Sequence, residues 1–357
     1  MWNYAYDFKL QKHTTGTSHD DHQEVHAGAP KLPEAFGGKF HQRVELGRRQ
    51  EKYETKAGEK KTREVIDFEY LDQSGKKLKG EDLDRVKGLK IPPGVTDVYI
   101  NPDADSAVQA TWKDIKDRTV SLYSKKHMQN AAQEKFERLK DFHEALPKIM
   151  KSLEKDIDSD DPELRDTARA YYLIAKTGFR VGSRRDTKAD KQAYGASTLK
   201  GSHAKVDGDK VSFVFDGKKG VRISQTVKDA TLARIIKEQL DANKAQGGKQ
   251  PGRLDLFPNA SDGKIREYVK NFGDFKVKDF RTWHGTNVAL EEISKRKSPK
   301  DEKTFNKWQA EVAERVAGKL GNTKSVCLSS YIDPMVWQKW RQPEWGVYVP
   351  PSLKDDD

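Results

Sequence analysis

"TLKGSHAKVDGDKVSFVFDGKKGVRISQTV" occupies residues 198–227. Two Asp-Gly pairs, Asp207-Gly208 and Asp216-Gly217, separate three short runs in which apolar and polar residues alternate. Asp-Gly between alternating runs is a strong hairpin signal, because the tight turn needs the positive φ that glycine adopts without steric cost. The stretch is expected to be a three-stranded antiparallel meander. It interrupts a chain that otherwise reads as helical from about residue 130 onward.

On the N-terminal side of the meander, "SDDPELRDTARAYYLIAKTGF" (159–179) opens with Asp and Ser before Pro162, a good helix start, and carries an apolar run from Ala168 to Ala175. "NAAQEKFERLKDFHEALPKIMKSLEKDI" (130–157) has apolar residues at helical spacing, with Pro147 expected as a kink or boundary. After the meander, helices are expected at 227–245, 263–272, 284–296 and 302–319. Before residue 125 the texture is different. "EVIDFEYLDQSGKKL" (64–78) alternates and then turns at Ser74-Gly75, and "GLKIPPGVTDVYINPDADSAVQATWKD" (88–114) has a rigid Pro92-Pro93-Gly94 lead into a strand over Val95–Ile100, a turn and a further strand. The expected fold class is therefore α+β: a small antiparallel β-sheet domain, then a mainly helical domain holding a three-stranded meander. The expected organisation is an N-terminal tail over 1–50, the sheet domain over 51–127, the helical domain over 128–340 and a C-terminal tail over 341–357. The basic "YSKKHMQN" (123–130) is expected as the linker. Trp2, Tyr4, Tyr6 and Phe8 are candidates for docking the N-terminal tail. His13, His19, His22 and His26 have no metal-ligand spacing and read as part of a solvated tail.

The 357 residues include 67 Lys+Arg against 56 Asp+Glu, a formal charge of +11, with only 34% apolar residues. Such a chain suits an anionic partner, nucleic acid above all. Cys327 stands alone, which leaves no internal disulfide or cysteine-based zinc site and points to a reducing compartment. No apolar run approaches the roughly 18 residues of a membrane span, and the N-terminus lacks the apolar core of a secretory signal. The expected location is cytoplasmic, associated with the nucleoid.

Cleaving a phosphodiester with side chains alone needs fixed cations on the nonbridging oxygens, a proton for the departing sugar oxygen, and a nucleophile. Arginine suits the first task because its planar fork can donate twice to one phosphate. Arg180 closes an apolar helix in "GFRVGS", and Arg281 sits among aromatics in "KDFRTWHGT". Each reads equally well as half of a structural ion pair, and a buried Arg180 should have an anionic partner. Lys218 lies past the Asp216-Gly217 turn at a hairpin tip, where a solvated lysine is the simpler reading. Tyr331, in "SVCLSSYIDP" (325–334), is by itself more simply a core aromatic than a nucleophile.

Taken in order, "TGFRVGS", "TLKGSH" with "FVFDGKKG", "KDFRTWHGT" and "LGNTKSVCLSSYIDP" resemble the type IB DNA topoisomerases of bacteria and poxviruses, and "LKIPPGVTDVYI…VQATWKD" resembles their small DNA-clamping domain. The resemblance covers about residues 60–335. It implies the catalytic fold shared with tyrosine recombinases, a clamp around duplex DNA, and relaxation of supercoils by a monomer without ATP or metal. It implies that Tyr331 attacks phosphorus and forms a 3′-phosphotyrosyl bond. Arg180 and Arg281 would hold the nonbridging oxygens, and Lys218 would protonate the 5′-oxygen. Asn322 stands where poxvirus enzymes have histidine; its amide can donate to a phosphate oxygen but brings no positive charge. Tyr123 matches a groove-contacting tyrosine, and Lys200 and His203 resemble DNA contacts beside the hairpin, although His203 capping a strand is an equal reading.

Trp112-Lys113 and Val120-Ser121 depart from the Gly-Arg and Gln-Tyr common in relatives, so backbone-driven rather than sequence-specific binding is expected. A tyrosine recombinase or integrase is the alternative, but such proteins usually have histidine where this chain has Lys278 and Asn322. A non-enzymatic DNA-binding protein is a third reading.

Overall fold

The computed structural model describes residues 36–348, apart from 37, 56–57, 116, 189–191, 247–249 and 347. Trp2, Tyr4, Tyr6, Phe8, His13, His19, His22 and His26 lie outside the described residues, as does the far C-terminus. The described chain divides into two units between Ala131 and Ala132.

In the first unit, β1 (His41–Glu54), β2 (Lys60–Leu71), β3 (Thr96–Ile100), β4 (Val108–Lys113) and β5 (Thr119–Tyr123) form one antiparallel sheet in the order β2-β1-β3-β4-β5. The expected tail over 1–50 is corrected here, because β1 begins at His41 and runs the length of the first hairpin. β1 pairs with β2 from Gln42 opposite Leu71 to Glu54 opposite Lys60, yet meets β3 only at His41 and Gln42. The remainder of the hairpin is a two-stranded ribbon laced by cross-strand ion pairs such as Arg48–Glu64 and Arg63–Glu51. Val86, Ile100, Ala110, Trp112 and Val120 form the core beneath the sheet. Val86 comes from α1 (Gly80–Gly88), a helix whose charged sequence was not recognised as helical. The Arg43 guanidinium stacks 4.0 Å above Phe68 and donates to the carbonyls of Ile91, Pro92 and Val95, which fastens β1 to the Pro92-Pro93-Gly94 segment.

The next element, α2, runs Lys125–Asp156. Two expectations fail on it: the stretch read as a linker is helical from Lys125, and Pro147 neither ends nor divides the helix. A proline inside a helix costs about 3 kcal/mol. Leu139, Phe142, Ile149 and Leu153 are buried on either side of it, and each buried side chain of that size contributes about 1.5–3 kcal/mol. Packing outweighs the local defect.

In the second unit, α3 (Pro162–Thr177) starts at Asp161, whose side chain accepts from Glu163 N at 2.9 Å, with proline at the first helical position. It stops at Gly178, which adopts the left-handed φ of +69° that ends many helices. The helix is buried along most of its length and forms the axis of the main core. The meander is present as β6 (Ala204–Asp207), β7 (Lys210–Asp216) and β8 (Arg222–Lys228), antiparallel in the order β6-β7-β8. Phe213 and Phe215 of β7 point inward against Phe179. Around it stand α4 (Ala230–Ala245), α5 (Asp262–Lys270), α6 (Val277–Ser294) and α7 (Glu302–Leu320). α6 begins seven residues before the expected 284, so Arg281 lies in a helix and not ahead of one. Two short helices, α8 (Lys324–Ser330) and α9 (Pro334–Trp340), pack Cys327, Ile332, Trp337 and Trp340 against α7 in a second apolar cluster. No described helix is long and apolar enough to cross a membrane.

Candidate active site

Arg281 is only 4% exposed, so its charge needs a counterpart. Among the described residues no carboxylate supplies it. Its Nη1 donates to the carbonyl of Gly178 at 2.5 Å and its Nη2 to the carbonyl of Leu320 at 2.8 Å. These oxygens close α3 and α7. A helix C-terminus carries about half a negative charge, so two of them together approach one full counter-charge. The salt-bridge reading of Arg281 is thereby replaced by two backbone ends. Its Nε has no partner among the described residues.

Arg180 follows the end of α3 by two residues. Its backbone is held by Ala196 N, which donates to the Arg180 carbonyl at 2.9 Å, and by Ser197 N, which donates to Val181 at 2.8 Å. Gly195 allows this approach: a Cβ there would sit 2.6 Å from the Arg180 oxygen and 2.5 Å from Gly182 N. The side chain donates from Nη2 to Oδ1 of Asn322 at 3.0 Å, a neutral partner in place of the expected anionic one. Asn322 Nδ2 is buried with no partner among the described residues. It follows Gly321, the left-handed cap of α7 at φ +58°, and its backbone N donates to Ala317 at 3.0 Å.

Tyr331 sits at the C-terminal end of α8, where its N donates to Cys327 at 3.0 Å. The Arg281 guanidinium carbon lies 5.0 Å from the centre of its ring. Burial alone pushes the phenol's pKa up, but the charges of Arg281 and Arg180 outweigh it and hold the group below its usual value. Three neighbours fix the backbone here. Lys135 of α2 donates to the Ser330 carbonyl at 2.9 Å. Gly285 of α6 lies against the Tyr331 carbonyl, into which any Cβ would run. Thr286 Oγ1 accepts from Asp333 N at 3.1 Å. Cys327 is fully buried, and burial pushes its thiol up to about 12, which leaves it unreactive.

The structure brings Tyr331, Arg281, Arg180 and Asn322 into one group. Lys218 is outside it, exposed at the β7–β8 tip, and its side chain has no hydrogen bond or ion pair among the described residues. The tip is nonetheless anchored beside the group. Ile223 touches Gly217, which precedes Lys218, and also fills the space a Cβ would need on Gly321, which precedes Asn322. Lys200 and His203 make internal contacts: the ammonium of Lys200 meets Asp255 Oδ1 at 2.5 Å, and Nδ1 of His203 accepts from Lys200 N at 3.1 Å. Tyr194 lies edge-on to the His203 ring at 4.4 Å. Tyr123, in the first unit, stacks on His127 at 5.0 Å. Sequence reasoning missed Lys135, Gly285 and Thr286. Only Gly285 left a signal, as a glycine inside a helical pattern, which often marks a close approach.

Two family models match the chain. The model described as the catalytic core of eukaryotic DNA topoisomerase I matches residues 124–340, and that of the N-terminal domain of bacterial DNA topoisomerase IB matches residues 67–114. The chain belongs to the type IB DNA topoisomerase family. It is an isomerase acting on DNA, and its α+β architecture is the one the resemblance implied. This answers the recombinase alternative. The enzyme is 29% identical to DNA topoisomerase 1B of Acanthamoeba polyphaga mimivirus, over 78% of this chain and 84% of that one. It is 26% identical to DNA topoisomerase 1 alpha of Arabidopsis thaliana over 45% of this chain, and 25% identical to DNA topoisomerase 1 of Candida albicans over 62%. Those two matches span 17% and 29% of the relatives' own lengths, so the enzyme corresponds to a part of each. Most of the ribbon formed by β1 and β2 precedes the matched N-terminal region.

Proposed function

We propose that Tyr331 is the nucleophile with which this topoisomerase opens one DNA strand. Its hydroxyl gives up its proton to solvent, the phenolate oxygen bonds to the phosphorus, and the bond from phosphorus to the 5′-oxygen breaks. The strand is then held as a 3′-phosphotyrosyl ester. Lys218 gives its proton to the departing 5′-oxygen and recovers it when that oxygen attacks again. Arg180 and Arg281 receive the charge that develops on the nonbridging oxygens, and Asn322 adds a neutral donor through Nδ2. One phosphodiester is exchanged for another, so the step is nearly isoenergetic and torsion in the DNA can drive the net relaxation. The reading rests above all on the Tyr331 ring lying 5.0 Å from the Arg281 guanidinium, with the Arg180–Asn322 pair completing the group.

The remaining roles follow from the same reading. The enzyme acts as a monomer, because a single chain carries all five residues. The first unit serves as a DNA clamp in which Tyr123 meets the groove. Lys200 and His203 brace the hairpin from beneath, and Lys200 reaches DNA only if it leaves Asp255. With a charge of +11, the enzyme resides on the nucleoid in the cytoplasm.

The test is denaturant-resistant linkage of the protein to DNA 3′ ends, followed by tryptic digestion. The adduct should map to the peptide Ser325–Lys339, whose one tyrosine is Tyr331. The Tyr331→Phe protein should bind DNA and leave supercoils intact. An adduct on another peptide, or relaxation by the Phe variant, removes Tyr331 from the mechanism.

A further inference from the structure

We infer that Lys135 of α2 is a positioning residue for the cleavage step, holding Tyr331 in place by donating a hydrogen bond to the carbonyl of Ser330. The inference rests on the reading of Tyr331 as nucleophile. The Nζ–oxygen distance is 2.9 Å, and the ammonium also lies 4.0 Å from the Phe136 ring centre. Carbonyls in the last turn of a helix lack intrahelical partners, and a lysine can satisfy one while meeting the negative end of the helix. Ser330 is the last residue of α8, and the next residue is Tyr331.

What sets Lys135 apart is how little else it has. Lys278 of α6 and Arg138 of α2 face it as like charges, and Asp279 of α6 and Asp333 face it as opposite charges. Both carboxylates are already engaged. Asp279 accepts from Arg138 Nε at 3.1 Å and from Lys276 N at 2.8 Å, and Asp333 accepts from Met335 N at 2.9 Å. Among the described residues, the one side-chain hydrogen bond of Lys135 is to a neutral backbone oxygen. Burial and the neighbouring Lys278 push its pKa down to about 7. A buried ammonium beside another lysine is a poor source of stability, and an apolar side chain of similar length commonly does as well or better. The arrangement is explained by what it holds. Ser330 is gripped from α2, while the Tyr331 carbonyl abuts Gly285 and Asp333 N meets Thr286, both on α6. The peptide on either side of the nucleophile is thus fixed from two directions.

The experiment measures single-turnover cleavage of a nicked suicide duplex, DNA affinity and melting temperature on the same full-length preparations. Lys135→Met should melt at or above the wild-type temperature and bind DNA within about 2-fold, yet cleave about 10–100-fold more slowly, the scale set by misplacing a reacting group by about 1 Å. Lys135→Arg keeps the donor and the charge, and should restore cleavage to within a few fold. Wild-type cleavage by the Met variant, or a slowing matched by lost affinity or by failure to fold that Arg does not rescue, overturns the role of Lys135. Tyr331→Phe is run alongside: an adduct formed by that variant sinks the nucleophile reading instead, and is distinguishable because it does not depend on position 135.

Discussion

Arg180 donates to Asn322 Oδ1 at 3.0 Å, and the other half of the amide, Nδ2, is a buried donor with no partner among the described residues. An unsatisfied buried donor costs about 1–3 kcal/mol, and in the proposed mechanism a phosphate oxygen arrives to satisfy it. Asn322→Ala should reduce single-turnover cleavage by about 10²-fold, the usual cost of losing one preorganised donor. Asn322→Asp should be worse than Ala, because it sets a negative charge against the phosphate. An Asp variant that cleaves faster than Ala would exclude the role.

Arg281 carries structure and, in the proposed mechanism, chemistry as well. Arg281→Lys keeps the charge but cannot span both carbonyls, and each buried carbonyl left bare costs about 1–3 kcal/mol. Lower urea stability should therefore accompany slower cleavage. Arg281→Gln also tests the phenol. In the wild type, cleavage should rise with pH and level off below the ordinary tyrosine value, since the arginines hold Tyr331 down. Without the Arg281 charge, burial prevails and the rising limb should move to higher pH. An unmoved limb in Arg281→Gln counts against this coupling.

Gly285→Ala tests the contact behind the nucleophile. The added methyl group meets the Tyr331 carbonyl, backbone that cannot swing aside. Overpacking of this kind typically costs about 1–3 kcal/mol. Cleavage and melting temperature should both fall, while Gly318→Ala on α7, where a Cβ meets nothing within 4 Å, should leave cleavage unchanged and raise the melting temperature slightly through helix propensity.

His284 predicts a weakness on the acid side. Its Nε2 donates to the Ala175 carbonyl at 2.8 Å, and burial pushes its pKa down to about 4 from 6.5. Between those values the unfolded chain binds more protons than the folded one, so stability is full above pH 6.5 and falls as pH drops toward 4. The loss should be on the order of 3 kcal/mol. Denaturant titrations across that range should show a shallower slope for His284→Gln.

Pro147 interrupts the hydrogen-bond ladder of α2 on an exposed face. Pro147→Ala restores a donor and should raise the melting temperature, corresponding to about 1–3 kcal/mol, with relaxation unchanged. A lower melting temperature would show that the proline fits a bend the helix needs.

Local signals were legible wherever the cause was local. Asp207-Gly208 and Asp216-Gly217 fixed the meander through turn geometry, and Asp161-Pro162 fixed the start of α3 through capping. β1 was not legible because its stability lies in backbone pairing and cross-strand ions such as Arg63–Glu51, with few apolar residues to alternate. The onset of α6 was missed because its signal is Asp279 reaching back to Lys276 N at 2.8 Å, hidden in a lysine-rich run. At the site, the identities of Tyr331, Arg180 and Arg281 came from the order of five motifs. Their means of support did not, since the carbonyls that balance Arg281 carry no side-chain signature. Lys135 is one of 67 basic residues, and nothing in its neighbourhood in sequence distinguishes it.

The tie that Arg281 makes between the ends of α3 and α7 has an evolutionary corollary. A descendant that abandoned strand cleavage but kept this fold would still be under pressure to retain that arginine, whereas the phenol oxygen does not join the two helix ends. When homologous sequences are sorted into working enzymes and retired ones, the hydroxyl at position 331 should discriminate and the guanidinium at position 281 should not.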